Sequence, residues 1–142
     1  MQKRKIALDV GDVRIGVAVS DLMGLCANPR ETYVRKKDDE AADIAYFTEY
    51  AEREDADAFI VGLPKNMDGT EGDRALLTRR FGELLREKSG LDVIYVDERL
   101  TTVSAERMLI DADVRREKRK KVIDKVAATI ILQSYLDGKS RT

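Results

Sequence analysis

The 142-residue chain has no histidine, no tryptophan, one cysteine and two prolines. Each shortage removes a class of chemistry. Without imidazole there is no histidine general base, no serine–histidine–aspartate triad and no histidine metal ligand. Cys26 has no partner for an internal disulfide, and with no second cysteine or histidine a zinc site is out of reach. It reads as a loop residue. Aromatic residues make up only 6% of the chain, so no surface rich in rings is expected for stacking single-stranded bases. Neither sign of charge dominates: 26 cationic side chains face 27 anionic ones. A nucleic-acid partner, if there is one, must therefore be announced by local clustering rather than by net charge. Long hydrophobic runs are also missing. The first apolar stretch is broken by Asp9, Asp12 and Arg14, so neither a signal peptide nor a membrane span is expected. These exclusions leave a single domain over residues 1–142, reduced and cytoplasmic, with no membrane partner.

What is present alternates between strand and helix patterns. Apolar and small residues alternate over 5–10 and again at Ile15, Val17 and Val19, which predicts two antiparallel strands joined by a tight turn at 11–14. A third strand is expected over 31–35, after a loop carrying Asn28 and Pro29. Residues 39–53 place Ala41, Ile44, Ala45, Thr48 and Ala51 on one face of a surface helix. "AFIVGLP" (58–64) has the look of a strand buried on both sides. Beyond the turn at Asp68 and Gly69, Thr70 and Asp73 read as a capping box for a helix that buries Leu77, Phe81, Leu84 and Leu85. Another strand lies within 91–102. It is followed by a helix through Ala105, Met108 and Leu109, capped by Thr101 or Thr102. A last helix over about 119–136 carries Val122, Ile123, Val126, Ala127 and Ile130 on its buried stripe. Strands first, then strand and helix in turn, predict an α/β fold in which an antiparallel hairpin set is fused to right-handed parallel crossovers in one mixed sheet. Ligand sites in such sheets gather at the carboxyl ends of the parallel strands.

Three positions there carry carboxylates. Asp9 ends the first strand, on the face opposite Ile6, Leu8 and Val10. It serves either as a turn-capping group or as a ligand. "VDERLTT" offers Asp97 and Glu98 at another strand exit; strand parity lets only one of them face Asp9, and the structural alternative is charge balance with Arg99 and the next helix. Asp124 borders the buried stripe of the last helix, where the alternative is an exposed ion pair with Lys120 or Lys121. Taken together, two strand-end carboxylates and one helical carboxylate form an oxygen-only set suited to Mg²⁺ or Mn²⁺. Such ions support phosphodiester cleavage without histidine.

Charge clusters sharply in "VRREKRKKVIDK" (114–125). Arg115, Arg116, Lys118, Arg119, Lys120 and Lys121 crowd the start of the last helix, where the macrodipole disfavours each exposed cation by about 0.3–1 kcal/mol. A phosphate backbone would compensate, and a solvated charged loop is the alternative. Arg14 and Arg99, next to the carboxylates, extend the phosphate-directed set. "GLPKNMDGTEGDRA" (62–75) leaves a strand through a glycine-containing loop, as either a phosphate cradle or an ordinary connection.

In order and separation, "LDVGDVRIGVAVSD", "VGLPKNMDGTEGDRA", "VDERLTTVSAERML" and "IDKVAATIILQSYL" resemble the YqgF/RuvX family over nearly the whole chain. The resemblance implies a three-layer RNase H-like fold, with three antiparallel and two parallel strands flanked by helices. It also implies a nuclease that matures the precursor of 16S ribosomal RNA, related to Holliday-junction resolvases. The family's metal-binding and catalytic carboxylates fall on Asp9, Glu98 and Asp124, which selects Glu98 over Asp97. Where the family has a small polar residue and a lysine, this chain has Asp12 and Val13, adding an acid near the metal site. A fourth carboxylate, often one turn along the last helix, is missing from Lys125, Val126, Ala127 and Ala128; Asp12, Asp21 or Asp97 would have to substitute.

The expected activity is endonucleolytic cleavage of structured nucleic acid, either pre-rRNA or branched DNA. A resolvase would act as a symmetric homodimer. Two other functions fit parts of the pattern. One is a noncatalytic nucleic-acid-binding factor that keeps the basic surface. The other is a nucleotide-phosphate site built on the aspartate–glycine hairpin, as in sugar kinases, although those proteins close two such domains around the nucleotide.

Overall fold

A computed structural model of the chain describes residues 3–98 and 116–140, with the side chains of 126–138 described in the last helix. The elements run β1 (Arg4–Val10), β2 (Arg14–Ser20), β3 (Ala27–Val34), α1 (Glu40–Arg53), β4 (Ala56–Leu63), α2 (Asp73–Ser89), β5 (Asp92–Asp97) and α3 (Arg116–Ser140). The helix expected through Ala105, Met108 and Leu109 lies outside the described residues, as do Arg99 and Arg115.

The five strands form one sheet in the order β3-β2-β1-β4-β5. β1, β2 and β3 pair antiparallel, and β4 joins β1 and β5 in parallel. This is the mixed sheet that the sequence pattern predicts. The β1–β2 turn closes through a hydrogen bond from Gly11 N–H to the Arg14 carbonyl at 2.9 Å. A Cβ on Gly11 would sit 2.7 Å from that same oxygen, so the turn needs glycine there.

Alternation sorts side chains to two faces. Ile6, Leu8, Val10, Val17, Phe59 and Val61 face α1 and α2 and pack with Phe47, Tyr50, Phe81 and Leu85. Ala7, Ala18 and Ile60 face α3 and meet Ala128, Ile131, Leu132 and Leu136. Burying Ile131, Leu132 and Leu136 contributes about 2 kcal/mol each. That is enough to dock α3 against a face lined by small residues.

Four sequence expectations are corrected. β3 begins at Ala27 and includes Asn28 and Pro29. An edge strand tolerates proline, and the pairing slips one residue between Val17 and Ala18 to admit it. On α1, Ala41 and Ala45 are exposed, while Asp43, Ile44, Phe47, Tyr50 and Ala51 are buried; the larger rings, stacked on Tyr33, set the helix rotation. On α2, Leu77 is 53% exposed and the buried residues are Ala75, Thr78, Phe81, Gly82 and Leu85. Small residues at 75 and 82 let the helix approach the sheet, and Gly82 leaves room for the Tyr95 hydroxyl. On α3 the buried set is Ala127, Ala128, Ile131, Leu132 and Leu136, with Val126 and Ile130 only partly buried. The side chains of Val122 and Ile123 lie outside the described set.

Candidate active site

Asp9 is the penultimate residue of β1. It directly opposes Gly16 of β2. Opposed residues on antiparallel strands share a face, so a missing side chain at 16 leaves the Asp9 carboxylate uncrowded from that flank. On the other flank, β4 pairs Leu8 with Val61 and ends through Gly62 and Leu63. Beyond β4, β5 pairs Leu63 with Asp97, and the Glu98 N–H continues the ladder to the Leu63 carbonyl at 3.2 Å. Ile94 and Val96 of β5 pack on the α3 side. Parity therefore sends Glu98 to that side, where Asp9 also lies.

The two carboxyl groups meet there. Glu98 has its pKa raised, first by burial and to a lesser extent by the neighbouring charge of Asp97, while a hydrogen bond with Asp9 and the charge of Arg74 act in the opposite direction. Among the described residues, Glu98 Oε2 is the buried side-chain oxygen with no hydrogen-bond partner. Such an atom has a high desolvation cost unless something compensates it. Gly62 permits this close approach: a Cβ at this position would collide with Ile131 Cδ1 and stand 2.5 Å from Glu98 Oε2. A pair of partly buried carboxyl groups, one of them with a solvent-shielded oxygen that has no hydrogen-bond partner, fits a hard divalent cation. No group of three potential metal ligands occurs among the described residues. Asp124 lies on α3 four positions before Ala128, and its side chain is outside the described set.

Of the three acids named as substitutes for a fourth ligand, two are engaged elsewhere and the third faces away from Glu98. Asp12 pairs with Arg74 at the hairpin tip. Asp21 accepts from Leu25 N–H at 2.7 Å and from Cys26 N–H at 3.2 Å, closing the β2–β3 turn. Those backbone bonds lower its pKa. Asp97 is exposed at the end of β5, and parity sends it to the face opposite Glu98.

The 62–75 loop is an ordinary connection. Asn66 N–H donates to the Thr70 carbonyl, Gly69 N–H to the Asn66 carbonyl and Thr70 N–H to Asp68 Oδ1, so these amides are spent inside the loop. The expected capping box is absent. α2 starts at Asp73 with Gly72 as its cap and no side-chain cap bond, because the Thr70 hydroxyl donates to Asp68 instead. Cys26 is exposed, as its loop position predicts. Among the basic candidates, Arg14 opens β2 beside the hairpin turn. Arg116, Lys118, Arg119, Lys120 and Lys121 fall in the first two turns of α3. The missed residue is Arg74. Its signal was available only in three dimensions, since it reaches the hairpin across 62 positions of sequence.

A five-stranded mixed sheet with this order and a strand-end carboxylate pair beneath the last helix defines an RNase H-like nuclease fold. Solved structures agree on the architecture. T. thermophilus RuvC in complex with a Holliday junction substrate superposes with a TM-score of 0.64 at 13% identity, covering 99% of this chain and 97% of that one. The fowlpox virus Holliday junction resolvase gives 0.53 at 15% identity, covering 95% and 99%. The chain belongs to the RuvX family, described as Holliday junction resolvase, whose model matches residues 3–138. Two relatives carry the name "Putative pre-16S rRNA nuclease". The one from Ligilactobacillus salivarius is 47% identical over 97% of this chain and 95% of its own length. The one from Bacillus cytotoxicus is 48% identical over 96% and 99%. The enzyme class is thus a nuclease, a hydrolase of phosphodiester bonds.

Proposed function

We propose that this chain is a divalent-metal-dependent endonuclease of structured nucleic acid that trims the 5′ end of pre-16S rRNA in the cytoplasm. The observation that carries the reading is the partly buried Asp9 and Glu98 pair with its solvent-shielded, unpartnered Glu98 oxygen. Asp9, Glu98 and Asp124 are the residues that hold Mg²⁺ or Mn²⁺. Position 124 precedes Ala127 and Ala128 by about one turn, on the helix whose buried stripe packs on the sheet face that carries the pair. When bound, the ion supplies Lewis-acid stabilisation of phosphate charge and activates water. The chain's own part is to fix two carboxylates on strand ends, shield Glu98 Oε2 from solvent, and present cations at 14, 99, 115, 116 and 118–121 to the phosphate backbone. No described helix is long and apolar enough to cross a membrane, which is consistent with this location.

A Holliday-junction resolvase acting as a symmetric homodimer is the second reading, favoured by the family's description. The names of the relatives at 47% and 48% identity favour RNA. Cleavage of a pre-16S RNA leader and of a four-way DNA junction, side by side with Mg²⁺ and with Mn²⁺, separates the two. The expected result is metal-dependent cutting of the RNA that Asp9→Asn abolishes while binding persists. An Asp9→Asn protein that cuts like wild type defeats the proposal.

A further inference from the structure

Arg74, in the first turn of α2, stands at the rim of the carboxylate site. One guanidinium nitrogen donates to Asp12 Oδ1 and another to the Val10 carbonyl at 3.3 Å, one residue from Asp9. Its charge is close enough to Glu98 to favour the ionised carboxylate. Arg74 bonds to a backbone carbonyl and to Asp12, whose side chain is 75% exposed. Exposed ion pairs of this kind are weak and exchange readily. A guanidinium has five N–H donors in a planar fork that matches a phosphate, and two of the five are accounted for here. Arg74 also lines a cleft of about 630 Å³ that runs from the hairpin toward Lys36, Lys37 and Arg80. The cleft is also lined by acids, of which Asp43 is paired with Arg35, Glu40 with Arg35 and Arg80, and Asp39 caps α1, while Asp38 stands beside the two lysines.

We infer that Arg74 is a substrate-binding residue that grips a backbone phosphate beside the carboxylate pair, and that Asp12 is its placeholder, occupying the guanidinium until nucleic acid arrives. The inference rests on the nuclease reading and adds the residue that seats the strand. Arginine can grip a phosphate through two parallel hydrogen bonds, whereas lysine acts as a point charge. Losing one phosphate contact lowers the slope of log affinity against log salt by about 0.9 on duplex DNA and about 0.7 on single strands.

The test measures binding without divalent ion by fluorescence anisotropy, using a labelled four-way DNA junction and a labelled RNA hairpin over a salt series. Arg74→Gln is expected to weaken binding about tenfold at low salt and to lower the slope by about one. Arg74→Lys is expected to keep the slope while binding about threefold more weakly. Asp12→Asn is expected to bind at least as tightly as wild type. Wild-type affinity and slope in Arg74→Gln overturn the inference, and weaker binding by Asp12→Asn overturns the placeholder role. If Arg74→Gln does not fold, Arg74→Lys carries the test, and its binding at wild-type affinity overturns the inference. If wild type binds neither probe, both this inference and the nuclease reading fail. If Arg74→Gln behaves as wild type while Asp9→Asn still abolishes cleavage, only this inference fails.

Discussion

Each face of the sheet carries a carboxylate with an oxygen shut off from solvent, and the two are treated oppositely. On the α1 and α2 face, Asp43 is 1% exposed and accepts three hydrogen bonds: from the Tyr33 hydroxyl at 2.8 Å, Arg35 Nε at 2.9 Å and the Lys36 N–H at 3.0 Å. Rings surround it, with Tyr33 stacked on Tyr46 at 4.3 Å and Phe47 edge-on to both. On the α3 face the neighbours are small or aliphatic, and Glu98 keeps one oxygen with no partner. A buried acid with its bonds filled organises structure. One left short of a partner, next to a second acid, marks a place that a ligand completes.

The comparison can be broken by exchanging what each acid supplies. The largest expected effect is on catalysis. Glu98→Gln keeps the shape but removes a ligand charge, and losing several kcal/mol of transition-state stabilisation means a fall in cleavage rate of about a thousandfold. The matching change on the other face, Asp43→Ala, strands the Arg35 guanidinium and the Tyr33 hydroxyl. It should cost about 3 kcal/mol in urea unfolding while cleavage by the protein that remains folded stays near wild type. A larger loss of activity than of stability would mean that the two faces are not independent. Gly62→Ala sharpens the contrast, because its methyl group would enter the space beside Glu98 Oε2. Overpacking should cost about 1–3 kcal/mol, and titration calorimetry should register weaker Mn²⁺ binding.

Strand positions were legible because period-2 alternation and the parity it imposes survive without tertiary knowledge. Asp9 at the end of β1, and Glu98 sharing its face, follow from that parity and from the family resemblance. Helix faces were less legible. Alanine carries little weight in setting a helix's rotation, so the faces expected from Ala41 and Ala45 on α1 gave way to Phe47 and Tyr50, whose rings had Tyr33 to pack on. α3 kept the expected Ala127 inside but is rotated toward Ala128, Ile131 and Leu132, because the facing strand residues Ala7 and Ala18 are small and admit a close approach. Asp12 was misread for a different reason. Its proximity to Asp9 in sequence suggested a further ligand, but its partner, Arg74, comes from α2, and no local pattern signals such a long-range ion pair.

The smallest effect is the most specific. Burial raises the pKa of Glu98, so the folded protein holds that proton more tightly than the unfolded chain does. A group of this kind contributes stability that is fully present below its unfolded pKa and is lost as pH rises through its folded pKa. At pH 8 without divalent ion, wild type therefore carries the cost of an ionised, half-satisfied carboxylate that Glu98→Gln does not. The variant should melt a few degrees higher than wild type at pH 8 in chelator, and the gap should shrink as pH falls toward the ordinary glutamate range. Added Mn²⁺ should reverse the order, raising the melting point of wild type by mass action while leaving the variant nearly unmoved. A gap that is independent of pH, or a variant that Mn²⁺ stabilises as strongly as wild type, would mean that the unpartnered oxygen of Glu98 is a packing accident rather than half of a cation site.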